Sequence, residues 1–276
     1  MNPDAAPHRG EDAEATATGA DAPISHAKPR GRRSLLRAAL AGTAVLGGGI
    51  AVGAFPADAE TVSRSTPTPT PTPTPSAATR TRPSTADEAL KELSKGNRRW
   101  RTLHQQHPHE GAAVRKALTT GQEPFALILG CIDSRVPPEL VFDQGLGDLM
   151  TVRSAGEVLD ESVFGSVKYG VLELDIPLVV VLGHQSCGAV KAAVSADQTG
   201  EKLPSHIQFI ADEIAPAIDH SVTGDARIAA TIDANVRLVR SKLVADPDIA
   251  AKLKADEVAV VGARYDLTTQ RVHLLK

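Results

Sequence analysis

Phe125-Ala126-Leu127-Ile128-Leu129-Gly130-Cys131-Ile132-Asp133-Ser134-Arg135 is the stretch from which the fold is read. Its apolar run is short, nearly unbroken and ends abruptly in polar residues, the pattern of a strand buried on both faces. Residues 149–153, 178–183 and 258–262 repeat that pattern. Between the runs, residues 161–174 and 228–243 carry apolar side chains at helical spacing. Upstream, Ala89, Leu90, Leu93, Trp100 and Leu103 do the same, with Asp87 and Glu88 where a helix dipole favours acids. This order predicts an α/β domain with a mostly parallel central β-sheet flanked by helices and an amino-terminal helical arm. Residues 264–275 are expected to add a short hairpin.

The folded domain is expected to span residues 84–276, long enough for a sizeable core without disulfides. Before it the composition changes. Gly31-Arg32-Arg33-Ser34-Leu35-Leu36-Arg37 sets a twin arginine before an Ala/Gly-rich apolar run, and Ala57-Asp58-Ala59 offers a small-x-small cleavage site. Residues 1–59 therefore read as a twin-arginine export signal, cleaved after Ala59, which leaves the mature chain no membrane contact. An uncleaved signal would instead anchor it. Residues 60–83 contain an alternating Thr-Pro tract from Thr66 to Pro75, in which proline removes backbone donors, so an extended spacer is expected. Its Thr hydroxyls are possible sugar acceptors.

A formal net charge of -3 supplies no cationic face for a phosphate backbone, so nucleic acid is not an expected partner. The chemistry concentrates at two places. The first apolar run leads into Cys131, Asp133 and Arg135, and the third leads into His184-Gln185-Ser186-Cys187-Gly188. Both clusters follow carboxyl ends of strands, where open parallel sheets form their ligand sites. Convergence would gather two thiolates, an imidazole and a carboxylate, a donor set that suits zinc. Cys131, His184 and Cys187 supply three ligands. Asp133 is the candidate for the fourth position, and Arg135 competes with the metal for its carboxylate through a bidentate pair.

The paired motifs resemble the signature of the β-carbonic anhydrases. The resemblance extends through Gly96-Asn97, Val136-Pro137-Pro138-Glu139, Asp143 to Asp148, Arg153, Tyr169-Gly170 and Gly262 to Asp266. It implies one zinc per chain on Cys131, His184 and Cys187, with Asp133 and Arg135 as a catalytic dyad. It also implies reversible hydration of carbon dioxide to bicarbonate and a proton by zinc-bound hydroxide, with Asp133 as the nearest proton relay. Gln122 is implied to reach a neighbouring subunit's substrate site, which makes the protein a homodimer or higher homo-oligomer. Gly188 lets the backbone approach an anion unobstructed.

The chain departs from the family pattern at Ile132, expected to point away from the metal by strand alternation, and at Ile128, where bicarbonate-regulated relatives carry Trp. Glu157 replaces a common Asn and Lys168 a common Glu; the two changes compensate as a pair or alter the subunit interface. Three rivals remain. A carbon disulfide or carbonyl sulfide hydrolase would share the zinc, and an inactive zinc-binding module would need neither Asp133, Arg135 nor Gln122. A dithiol redox protein would want a Cys-x-x-Cys pair, which is absent. His104, His107 and His109 read as a solvated turn, and Trp100 as a packing anchor.

Overall fold

The computed structural model describes residues 82–276. The expected export signal lies wholly outside these residues, as does the spacer up to residue 81. The two spacer positions that are described belong to the domain, because Arg82 donates from Nη2 to the Pro124 carbonyl. Among the described residues no helix is long and apolar enough to cross a membrane.

The chain begins with helix α1 (Ala86–Arg101), capped by the Thr85 hydroxyl on the Glu88 amide, and a short α2 (Ala112–Ala117). Strand β1 (Ala126–Cys131), α3 (Pro138–Val141), β2 (Leu149–Ser154) and α4 (Glu161–Leu172) follow. Then come β3 (Leu178–His184), α5 (Gly188–Thr199), α6 (Ser205–Ile214), α7 (Gly224–Ala245) and α8 (Pro247–Lys254). The chain closes with β4 (Ala259–Tyr265) and β5 (Val272–Leu275). The five strands lie in the order β2-β1-β3-β4-β5; all neighbours pair parallel except the closing β4–β5 hairpin. The sheet and hairpin are those expected from the sequence.

Alternation along the strands divides the core. Leu127 and Leu129 pack with Val163 and Val167 of α4, Val236 and Val239 of α7, and Ile249 of α8. Ala126 and Ile128 face the other way, toward Ala89 and Leu93 of α1 and Val141 of α3. Each such buried Val, Leu or Ile contributes about 1.5–3 kcal/mol relative to exposure. β2 departs from expectation: it forms an edge and is only half-buried, because β1 pairs with it on one side alone.

Strand order also fixes where a site can form. From β1 the chain moves outward to β2, then returns to lay β3 on the opposite side of β1. The carboxyl ends of β1 and β3 therefore flank the point where winding reverses, the place where crevices open in sheets of this kind.

Candidate metal centre and active site

Cys131 is the last residue of β1, His184 the last of β3, and Cys187 the N-cap of α5. Their ligand atoms all lie within 4.8 Å of one another, all three residues are buried, and among the described residues no other His, Cys, Asp or Glu group clusters this way. The two sulfurs are 3.9 Å apart, too far for a disulfide. Ser186, at φ +57°, makes the tight turn that brings Cys187 back beside His184.

Each ligand is oriented from behind. The His184 ring sits with Nδ1 2.9 Å from the Gln185 carbonyl, which leaves Nε2 buried without a hydrogen-bond partner. A fully buried imidazole nitrogen in that state is what a metal ligand requires. The Cys131 and Cys187 sulfurs share a hydrogen bond, and the Gly156 amide donates a second one to Cys131 Sγ at 3.4 Å. The Cys187 contact lowers the Cys131 thiol to about 4, and the same contact pushes Cys187 up. The buried pair thus shares its negative charge, which a metal cation would neutralise. Two sulfurs and one unpaired imidazole nitrogen at this spacing fit a zinc ion.

Asp133 stands outside that trio. Arg135 grips it with Nε on Oδ1 at 2.9 Å, Nη2 on Oδ2 at 2.7 Å and its own amide on Oδ1 at 2.9 Å. These hydrogen bonds hold the carboxyl well below the usual carboxylate range. Asp133 Oδ2 remains 3.9 Å from His184 Nε2. Arg153, quoted in the sequence only as part of a motif, proves to hold the whole loop: Nε donates to the Cys131 carbonyl and Nη2 to that of Asp133, both at 2.8 Å.

Cys131 lines a cleft of about 390 Å³ whose wall also includes Asp133, Gly188, Leu203, Ile207 and Ile210. Gly188 opens α5, and a side chain there would meet nothing within 4 Å. Ile132 is 61% exposed and belongs to the cleft wall. The apolar α6 wall was not anticipated, since residues 203–211 carry no chemical motif.

Gln122 is exposed and precedes β1, whereas the cluster stands at the carboxyl end of that strand, so the structure does not bring Gln122 to its own chain's site. Glu157 and Lys168 do not pair: Glu157 is buried, and Lys168 reaches Asp246 and Asp248. His104 and His107 are solvated as expected, but His109 places Nδ1 2.7 Å from Asp148. Trp100 is an anchor as expected, donating to the Tyr265 hydroxyl at 2.9 Å.

Fold and site together define a parallel-sheet α/β protein with a Cys-His-Cys centre at its winding reversal. The sequence model of the carbonic anhydrase family matches residues 126–272. Over 191 residues the chain is 41% identical to a carbonic anhydrase of Mycolicibacterium smegmatis, covering 67% of this chain and 91% of that one. Carbonic anhydrase 2 of Mycobacterium tuberculosis is 38% identical with the same coverage. Among solved structures, the β-carbonic anhydrase CcaA aligns with a TM-score of 0.56 at 23% identity, over 68% of this chain and 95% of that one. Two tetrameric β-carbonic anhydrases from Sordaria macrospora are represented by an alignment with a TM-score of 0.55 at 21% identity, over 68% and 97%. The chain belongs to the carbonic anhydrase family, and its fold is that of the β class.

Proposed function

We propose that this carbonic anhydrase is an exported zinc enzyme that interconverts carbon dioxide and bicarbonate outside the cytoplasm, working as a homodimer or higher homo-oligomer. The observation that carries the metal assignment is the unpartnered, fully buried His184 Nε2 facing two cysteine sulfurs. Cys131, His184 and Cys187 hold the ion. When bound, zinc supplies the Lewis acidity that makes a water strongly acidic near neutral pH.

The chain's own residues do the rest. Arg135 occupies both Asp133 oxygens, which keeps that carboxylate from the fourth position and leaves it to water. Asp133, so held, is a weak base: it accepts and orients a water hydrogen bond, and passes any proton quickly to solvent. The cleft wall of Leu203, Ile207 and Ile210 suits an apolar, uncharged substrate. The exposed Gly188 backbone at the first turn of α5 favours the anion that forms.

Self-association is supported by the half-buried edge of β2 and by the exposed Ile207 and Phe209 near the site. It gives Gln122 a site to reach, on the neighbouring chain. Export rests on the twin arginine, the apolar run and the small-x-small site before the Thr-Pro tract.

The test is stopped-flow hydration of carbon dioxide, with carbonyl sulfide hydrolysis followed on the same preparation. Hydration that vanishes when zinc is stripped and returns with zinc supports the proposal. Zinc-dependent turnover of carbonyl sulfide alone would replace the substrate, and no zinc dependence would overturn the mechanism.

A further inference from the structure

Next to the Gly156 turn that faces Cys131 is a carboxyl group that the reaction above does not use. Glu157 is 1% exposed and its Oε1 has no hydrogen-bond partner among the described residues. Its backbone is also unusual. Gly156 and Glu157 are both left-handed, at φ +64° and +56°, and for Glu that conformation is disfavoured by sterics. A buried acid in a strained turn persists only where its surroundings determine it.

Those surroundings are the metal site. The Gly156 amide of this turn donates to Cys131 Sγ, and its carbonyl accepts from Asn235 Nδ2 at 2.8 Å. Asn235, itself buried, thereby ties the turn to α7. Glu157 Oε2 lies 3.7 Å from where a side chain on Gly183 would begin, next to His184. One side chain therefore links the turn that faces Cys131, the α7 clamp and the end of β3.

We propose that Glu157 is a positioning residue for the metal centre: buried between the turn that Asn235 clamps and the end of β3, it locks the Gly156–Glu157 turn so that the Gly156 amide stays aimed at the Cys131 sulfur. The inference rests on the reading of Cys131, His184 and Cys187 as metal ligands. The carboxyl is fully buried with no cation paired to it among the described residues, and burial raises it above its usual range. A neutral amide of the same shape should replace it, and an apolar side chain should not.

The full chain is prepared as wild type, Glu157→Gln and Glu157→Leu, and titrated with cobalt, whose thiolate charge-transfer bands report the sulfur ligands directly. Zinc competition with a chelator is read in parallel. Glu157→Leu is expected to lose about tenfold or more in metal affinity and to shift the cobalt–thiolate bands, with Glu157→Gln within about threefold of wild type. Wild-type bands and affinity in Glu157→Leu overturn the inference while leaving the metal reading standing. Should the Leu variant fail to fold, Glu157→Ala, which removes the carboxyl without adding bulk, takes its place: a tenfold loss with shifted bands supports the proposal, and wild-type bands and affinity sink it. A wild-type chain that takes up neither metal overturns both.

Discussion

Arg135 determines what Asp133 can do in this protein. With both carboxylate oxygens on the guanidinium, Asp133 is held away from the candidate metal position; without it, only the residue-135 amide restrains a carboxylate 3.9 Å from His184 Nε2. Arg135→Ala is therefore expected to lower kcat/KM for hydration by on the order of 10²-fold while zinc stays at one per chain, measured by stopped flow and metal analysis. Unchanged activity would remove Arg135 from the mechanism. At this scale the sequence was highly legible, because Cys, His, Asp and Arg at strand ends have few packing uses. What it hid were groups without chemical distinction of their own: the Gly156 amide on Cys131, the Arg153 clamp and the apolar wall of α6. Glu157 was visible as a departure, but nothing in its neighbours along the chain announced that it lies buried next to the turn that faces Cys131.

The elements that carry the site are tied together at a few contacts. Asn97 of α1 donates to the Val141 and Gln270 carbonyls at 3.1 and 3.0 Å and accepts from the Val272 amide, joining α1 to α3 and β5. Beside it, a side chain on Gly96 would begin 1.7 Å from the Phe142 carbonyl oxygen, so α1 can lie this close only with glycine there. Gly96→Ala is expected to cost about 1–3 kcal/mol in denaturant unfolding, and a neutral result would contradict the packing described.

Asp143 makes a second such joint, held by the Arg99 guanidinium and by the Gln106 and His107 amides. Burial alone would raise its carboxyl, but these hydrogen bonds outweigh burial and leave it lowered. A lowered folded-state value means that the stabilisation is complete above the ordinary carboxylate range, about pH 4, and fades as pH falls below it. Asp143→Asn should thus be less stable than wild type at pH 7, with the gap closing toward pH 3 in urea melts. Strands and long helices were readable from periodicity, whereas β2's place at an edge was not, since an apolar run does not state how many neighbours it has. α8 did carry a signal, Asp246 before Pro247, which caps the Asp248 and Ile249 amides.

At the scale of the whole molecule, the proposed self-association gives Gln122 its only route to a site. Gln122 lies at the opposite end of β1 from the metal centre, so any role at a site must be played on a neighbour. Mixed oligomers test this: Cys131→Ala chains lack metal but keep Gln122, and Gln122→Ala chains keep metal but lack the amide. Co-assembled, they should recover hydration activity above either alone, by several-fold; no recovery would confine each site to its own chain. Sequence could suggest this only through resemblance, because the distance between residues 122 and 131 depends on how straight the intervening strand runs.

Cys131, His184 and Cys187 are proposed to hold the zinc with one position left to water. X-ray absorption at the zinc edge on active enzyme measures that shell directly. Two sulfur scatterers at about 2.3 Å and two nitrogen or oxygen scatterers at about 2.0–2.1 Å are predicted, with both sulfurs lost as a pair or halved in Cys131→Ala. A shell without sulfur, or one unchanged by that substitution, would contradict it.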